Sequence, residues 1–203
     1  MEAFKELDQV VELSLDVPIW DRVFTVAPLV VVGSRCANGS YDLAPKHLAL
    51  PLGWDRYFGF ITLDGRSTFR NVKREGCFTV SFPNPSSVVV TSMAAAERSE
   101  EHRRAVLRAV PKAKAETIDG VFVADSYLFL ECELDRIVGG FGQNSMICGL
   151  IRRAAVSKDS LRLFEQDDQV MLQRRPLLAF LAPERYAILN TTHRFPVPNG
   201  IRS

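Results

Sequence analysis

Two short stretches of this 203-residue chain carry residue types that could hold an anion. The first is Asn38-Gly39-Ser40-Tyr41-Asp42-Leu43-Ala44-Pro45-Lys46-His47. It combines small residues, a rigid proline bend and a cation near the end of an extended run, which lets backbone approach an anionic ligand closely. A plain edge strand leaving its sheet would use the same residues. The second is Arg66-Ser67-Thr68-Phe69-Arg70-Asn71. Ser67 or Thr68 can cap a short helix reaching to Glu75, with Gly76 as its C-terminal stop. Arg66, Ser67 and Thr68 would then lie where unpaired N–H groups attract anions, with Arg70 and Asn71 one turn further along. A surface helix cap with a solvated arginine reads the same way.

Other chemistries lack their residues. No Gly-x-Gly-x-x-Gly follows a strand and opens a helix, and no phosphate loop ends in Gly-Lys-Ser/Thr. Gly140-Phe141-Gly142 lacks a third glycine and reads as a turn. No Gly-x-Ser-x-Gly elbow is present for a serine hydrolase. Cys36, Cys77, Cys132 and Cys148 are dispersed, as are His47, His102 and His193. Neither zinc spacing nor a disulfide framework follows from them, and no metal is expected.

The elements that must position the two stretches are mostly strands. Pro28-Leu29-Val30-Val31-Val32-Gly33-Ser34 reads as a buried strand, because a β-branched run between turn residues suits a sheet interior. Asn38-Gly39 predicts a type I′ turn, with positive φ at both residues. Residues 23–36 and 41–48 then form a hairpin whose second strand leaves the sheet at Pro45, which cannot donate to a ladder. Tyr57 to Leu63 is a third strand, ended at Asp64-Gly65. Cys77 to Phe82 returns as a strand after the helix. Asn84-Pro85 starts a second helix and Ser99-Glu100-Glu101 a third, with 106–115 its frayed end and a loop. Tyr127 to Val138 and Met146 to Val156 flank a glycine-rich bend as a long hairpin. Asp159 caps a helix to about Leu163, and Pro176 to Ala182 and Tyr186 to Leu189 supply closing segments. Phe4, Leu7, Val10 and Val11 form a helical stripe suited to packing or to capping a dimer. Trp54 reads as a half-buried packing residue, ahead of an aromatic pocket wall.

Strands, an inserted helical patch, then strands: this order predicts a mainly β chain, an antiparallel barrel with peripheral α-helices, and argues against βαβ units. Closure of the barrel would remove exposed sheet edges. With 47% hydrophobic residues the chain can bury one substantial core, so 1–203 is expected to be a single domain. The 25 basic residues nearly balance 24 acidic ones, for a net charge of +1. That balance points to neither nucleic acid nor a membrane surface. No apolar stretch is long enough to span a bilayer, and Met1 to Glu12 lacks the pattern of a secretory signal. A soluble, cytoplasmic protein is expected.

The decapeptide at 38–47 resembles the pattern of the flavin reductase-like family, the FMN-binding split β-barrels: an apolar strand, a glycine turn, Asn or Asp, a small apolar residue, Ala and Pro. Arg66-Ser67-Thr68-Phe69-Arg70-Asn71-Val72, followed by Glu75-Gly76-Cys77-Phe78-Thr79-Val80-Ser81-Phe82-Pro83, resembles that family's second block. A third echo is Leu130 to Leu134 with Ile147 to Ile151. The likeness spans a core of about 23–190. It implies an antiparallel split β-barrel and FMN as cofactor. Asp42, Leu43, Ala44, Pro45, Lys46 and His47 would pass beside the flavin ring, with backbone N–H groups of Leu43 and Ala44 donating to it. Arg66, Ser67, Thr68 and Asn71 would lie near the flavin and its phosphate. Asp42 stands in place of the family's more usual Asn, and is expected to face a cation or a backbone N–H.

The resemblance further implies an NAD(P)H-dependent flavin reductase, passing hydride from NADH or NADPH to flavin N5. Positioning two stacked rings matters more there than an acid or base, so no residue is assigned a catalytic role. Free flavin or a small organic substrate would be the acceptor, a monooxygenase a partner enzyme, and a homodimer the assembly. An enzyme that retains FMN to act on a small organic substrate, or a non-catalytic flavin- or haem-binding module, fits the same barrel.

Overall fold

The computed structural model describes residues 10–93 and 108–196. Its strands are β1 (Thr25–Pro28), β2 (Val30–Arg35), β3 (Tyr41–Lys46), β4 (Ala49–Pro51), β5 (Tyr57–Leu63), β6 (Cys77–Pro83), β7 (Lys112–Lys114), β8 (Val121–Val123), β9 (Ser126–Phe141), β10 (Asn144–Val156), β11 (Leu177–Ala182) and β12 (Arg185–Leu189). Its helices are α1 (Ser67–Glu75), α2 (Val88–Met93) and α3 (Asp168–Arg174).

Seven antiparallel strands form the main sheet in the order β3-β2-β6-β9-β10-β5-β4. The long β9–β10 hairpin supplies its middle, turning where Phe141 faces Asn144. Gly140 and Gly142 take positive φ in that bend, as the glycine-rich sequence requires. The sheet curls strongly. Lys46 on edge strand β3 reaches Thr62 on β5, five strands away in the order, with Nζ donating to Oγ1 at 3.3 Å. Among the described residues no ladder joins β3 to β4, so the expected closed barrel is instead an open, curled half-barrel.

Alternation along the strands fills the concave side. Val30 and Val32 of β2, Phe58 and Phe60 of β5, Phe78 and Val80 of β6, Cys132 of β9 and Ile147 of β10 share one core with Val72 of α1. Phe60 meets Phe78 edge to face at 5.3 Å between centroids. Gly149 makes room for this pair, since a Cβ there would collide with the Phe78 ring. Each fully buried Phe contributes roughly 1.5–3 kcal/mol. The convex side carries a second core of Val31, Leu43, Val110, Val121 and Val123 beneath the β7–β8 hairpin.

Several sequence expectations are corrected. The 38–39 turn is not type I′, because no non-glycine residue has positive φ and only Gly39 of the pair does. Gly39 N–H donates to the Cys36 carbonyl and Cys36 N–H to the Ser40 carbonyl; a hairpin with glycine in the left-handed position results. The single strand expected over 23–36 is two strands, and β1 belongs to a separate sheet of order β1-β11-β12. β11 and β12, expected to close the barrel, pair there instead. Pro45 does not end its strand. It stays in the ladder opposite Val31, tolerated because β3 is an edge.

The cap of α1 is Arg66, in extended conformation and with no side-chain capping bond to the helix; neither Ser67 nor Thr68 fills that position. Gly76 closes α1 in the left-handed region, as expected, with its N–H on the Val72 carbonyl. Asp159 lies within a short 3₁₀ turn, and it is Asp167 that caps a helix, accepting from Gln169 and Val170 N–H. Lys112–Lys114, read as loop, pairs with β8. Asn84-Pro85 does open a helical segment, with proline in its first turn. The helix expected at Ser99-Glu100-Glu101 lies outside the described residues, as does all of the N-terminal stripe except Val10 and Val11, which are exposed and without regular structure. No helix among the described residues is long and apolar enough to cross a membrane.

Candidate functional site

The concave side of the half-barrel is apolar through its middle and polar at one end. Along β5 the inward positions run Phe58, Phe60, Thr62, and along β2 they run Val30, Val32, Ser34. Opposite β2, the inward positions of β3 are Asp42, Ala44 and Lys46, facing Ser34, Val32 and Val30. Helix α1 covers this end. Its second, fifth and sixth residues, Thr68, Asn71 and Val72, share one buried face, as helical spacing dictates.

The two sequence stretches are thereby brought together. Lys46 meets Thr62, which stands four residues before Arg66 at the mouth of α1, and α1 itself contacts both β3 and β5. The first turn of α1 holds no acidic residue, and Arg66 stands at its cap. A helix start of this kind leaves N–H groups for an anion.

The individual residues divide by role. Asp42 is buried on the inward face beside Ser34. Leu43 is 1% exposed and points outward into the second core. The Cys36–Ser40 bond sets the ladder phase, so pairs 34/42, 32/44 and 30/46 are the hydrogen-bonded ones. Ala44 N–H is therefore spent on β2 and unavailable to a ligand, whereas Leu43 N–H points to the open edge of the sheet. Pro45 occupies a non-bonded position, where its missing N–H costs nothing.

Asn71 holds the scaffold. Its Nδ2 donates to Ser34 Oγ at 3.1 Å and to Cys36 Sγ at 3.6 Å, and its Oδ1 accepts from the Arg74 guanidinium at 3.2 Å. Arg74 also donates to the Arg35 carbonyl and to Glu75, which holds the Glu75 carboxyl below its ordinary range. Thr68, 3% exposed, sits in the same buried face, while Ser67 is only partly covered.

His47 departs from its neighbour. Lys46 points into the half-barrel, and His47 stacks on Phe180 of β11, with centroids 4.6 Å apart at 30°. Burial, then the Lys46 charge, lowers its pKa, so the ring is neutral at pH 7. Trp54 is neither packing residue nor pocket wall; it is 97% exposed. Sequence reasoning missed Thr62. Its signal was present, since a polar residue continues the inward alternation of Phe58 and Phe60.

No family model and no curated protein matches the chain. Solved structures do. A 2-nitrobenzoate 2-nitroreductase of Pseudomonas fluorescens superposes with a TM-score of 0.78 at 18% identity, over 95% of this chain and 99% of that one. Nitrilotriacetate monooxygenase component B of Bacillus cereus gives 0.77 at 17% identity, over 92% and 98%. Flavoredoxin of Desulfovibrio vulgaris (Miyazaki F) gives 0.75 at 16% identity, over 94% and 100%. The chain shares the split-barrel fold of these flavin reductase-like proteins.

Proposed function

We propose that this chain is an FMN-binding oxidoreductase of the flavin reductase type, with the flavin held at the polar end of the half-barrel. One observation carries the reading: Lys46 reaches across to Thr62 beside the start of α1, where Arg66 caps a first turn free of acids. A flavin phosphate carries about two negative charges and several acceptor oxygens, and this donor set matches it. Lys46, Arg66 and the first-turn N–H groups of α1 would hold the phosphate. Ser67 would add a hydroxyl, and the Leu43 N–H at the sheet edge would face the ring. Thr68 and Asn71 would support from within, the latter by fixing α1 to β2.

Bound FMN would supply the two-electron chemistry, accepting hydride from NADH or NADPH and passing the electrons to free flavin, a small organic molecule or a monooxygenase partner. The chain's own part is positioning, with backbone and cations set on strands and one short helix. The neighbouring folds that bear the names flavoredoxin and monooxygenase component B support the assignment. A homodimer accords with Trp20, Phe24 and Val26, exposed at and just before β1; exposed apolar groups gathered in this way suit a subunit contact.

The test is anaerobic mixing of the FMN-loaded protein with NADH and, separately, NADPH, followed by absorbance. Loss of the flavin bands with one nucleotide supports a reductase. Unchanged bands with both would reduce the protein to a flavin binder, and failure to take up FMN would end the proposal.

A further inference from the structure

Helix α1 turns a row of cations to solvent. Thr68, Asn71 and Val72 are buried on one side, while Arg66, Arg70 and Lys73 are exposed on the other, four and three residues apart. At about 1.5 Å per residue, Arg70 and Lys73 lie roughly 6 and 10 Å along the axis from Arg66. The acid of this helix, Glu75, is partly buried and held by Arg74 and Arg35. Among the described residues neither Arg70 nor Lys73 has an acidic partner; Lys73 instead stands over the Phe69 ring, Nζ 5.9 Å from its centroid. This spacing works against the helix. Arg66 with Arg70, and Arg70 with Lys73, are like-charge neighbours, and the first two stand on the half of the helix whose dipole disfavours cations. A solvated surface helix ordinarily intersperses acids among its cations. Local charge rules broken in this way are expected where a bound ligand offsets the loss.

Given the flavin seat proposed above, Arg66 has its anion in the flavin phosphate, and a second anion is needed for Arg70 and Lys73. Helix α1 packs against β3, whose open edge would face the flavin ring. A nicotinamide stacked on that ring therefore has the exposed side of α1 beside the path of its adenosine half. From this arrangement we propose that α1 selects NADPH over NADH, with Arg70 and Lys73 holding the 2′-phosphate of the adenosine ribose. That group is the one difference between the two nucleotides. It is a terminal phosphate with about two negative charges, and a nearby arginine accommodates it in other dinucleotide sites. Arg70 supplies a planar fork for its oxygens, and Lys73, steadied over Phe69, a second charge. The pyrophosphate is common to both nucleotides and would give no preference, so experiment separates the two anions.

NADP⁺ and NAD⁺, which cannot reduce the flavin, are titrated calorimetrically into the FMN-loaded protein, and 2′,5′-ADP and 5′-AMP into the protein without FMN. NADP⁺ should bind about tenfold more tightly than NAD⁺, and 2′,5′-ADP than 5′-AMP, as charge-assisted bonds to one phosphate require. The paired substitution Arg70→Gln with Lys73→Gln should bring both ratios near one. Its unfolding midpoint should equal or exceed that of the parent, because like charges have been removed from the helix. Arg70→Lys alone should keep part of the preference. Equal affinity for NADP⁺ and NAD⁺ in the parent, the result expected if this face serves an acidic protein surface, would overturn the inference. So would a preference that survives the paired substitution, or an equal loss of both nucleotides, which would mark a pyrophosphate contact. FMN uptake with no preference between the nucleotides would sink this inference alone. A preference for 2′,5′-ADP that the paired substitution removes, in a protein that never takes up FMN, would sink only the flavin reading.

Discussion

Replacing Asn71 by Ala separates a scaffold role from a ligand role. The side chain is 5% exposed and makes three hydrogen bonds, two of them to buried partners and one to the Arg74 guanidinium. Loss of the neutral bond to Ser34 costs about 1 kcal/mol, and the Ser34 hydroxyl, itself 2% exposed, adds about 1–2 kcal/mol when stranded. The sulfur contact and the half-exposed arginine add little. The expected loss is about 2–3 kcal/mol, which for a chain of this size lowers the unfolding midpoint by roughly 4–12 °C. Urea unfolding followed by circular dichroism on the ligand-free protein measures it directly. A loss below about 1 kcal/mol would show that Asn71 does not fasten α1 to β2. In that case its amide would be available to a cofactor after all.

Other substitutions and conditions probe separate parts of the molecule. Gly33→Ala places a methyl against Thr79 Oγ1 and the Val121 carbonyl, which are bonded to each other at 2.6 Å; displacement of backbone in a packed layer should cost about 3 kcal/mol or more, read by the same urea experiment. The His47 pKa lies below its ordinary 6.5, so the stability this ring contributes is complete above pH 6.5 and is lost as pH falls toward the folded value. An NMR titration should place the His47 midpoint below the ordinary 6.5, and a higher midpoint would contradict the stacked, half-buried ring. Glu131 is buried, yet its carboxylate is held below the ordinary range against the upward push of burial, by the N–H groups of Glu116 and Thr117 and the Thr117 hydroxyl. Its contribution is therefore present above pH 4.5 and lost on acidification, and Glu131→Gln should flatten the acid limb of a stability-versus-pH curve.

Strands with regular alternation were legible from the residues alone. Tyr57 to Leu63 and the β9–β10 hairpin stand where the pattern places them, because period-two burial and glycine bends are local signals. What the chain does at longer range was not. Whether 177–189 closes the barrel or builds a small sheet with β1 depends on which edge each strand meets, and alternation is identical in both cases. The α1 cap misled for a related reason: Ser67 and Thr68 are good capping residues, but burying Thr68 against the half-barrel sets the helix one residue earlier. Trp54 failed too, since residue type alone does not reveal a loop that stands clear of the core. Within the candidate site, both candidate stretches were visible, and so was Lys46. Their meeting through Thr62 was not, because it needs the curl of the sheet.

Equilibrium titration with FMN against riboflavin, which lacks only the phosphate, tests the central claim most directly. The parent protein should prefer FMN by at least about tenfold, as charge-assisted bonds to a phosphate require. The paired substitution Lys46→Gln with Arg66→Gln should erase that preference while riboflavin affinity stays unchanged. Equal affinity for the two flavins in the parent, or a preference untouched by the paired substitution, would contradict a phosphate seat at this end of the half-barrel.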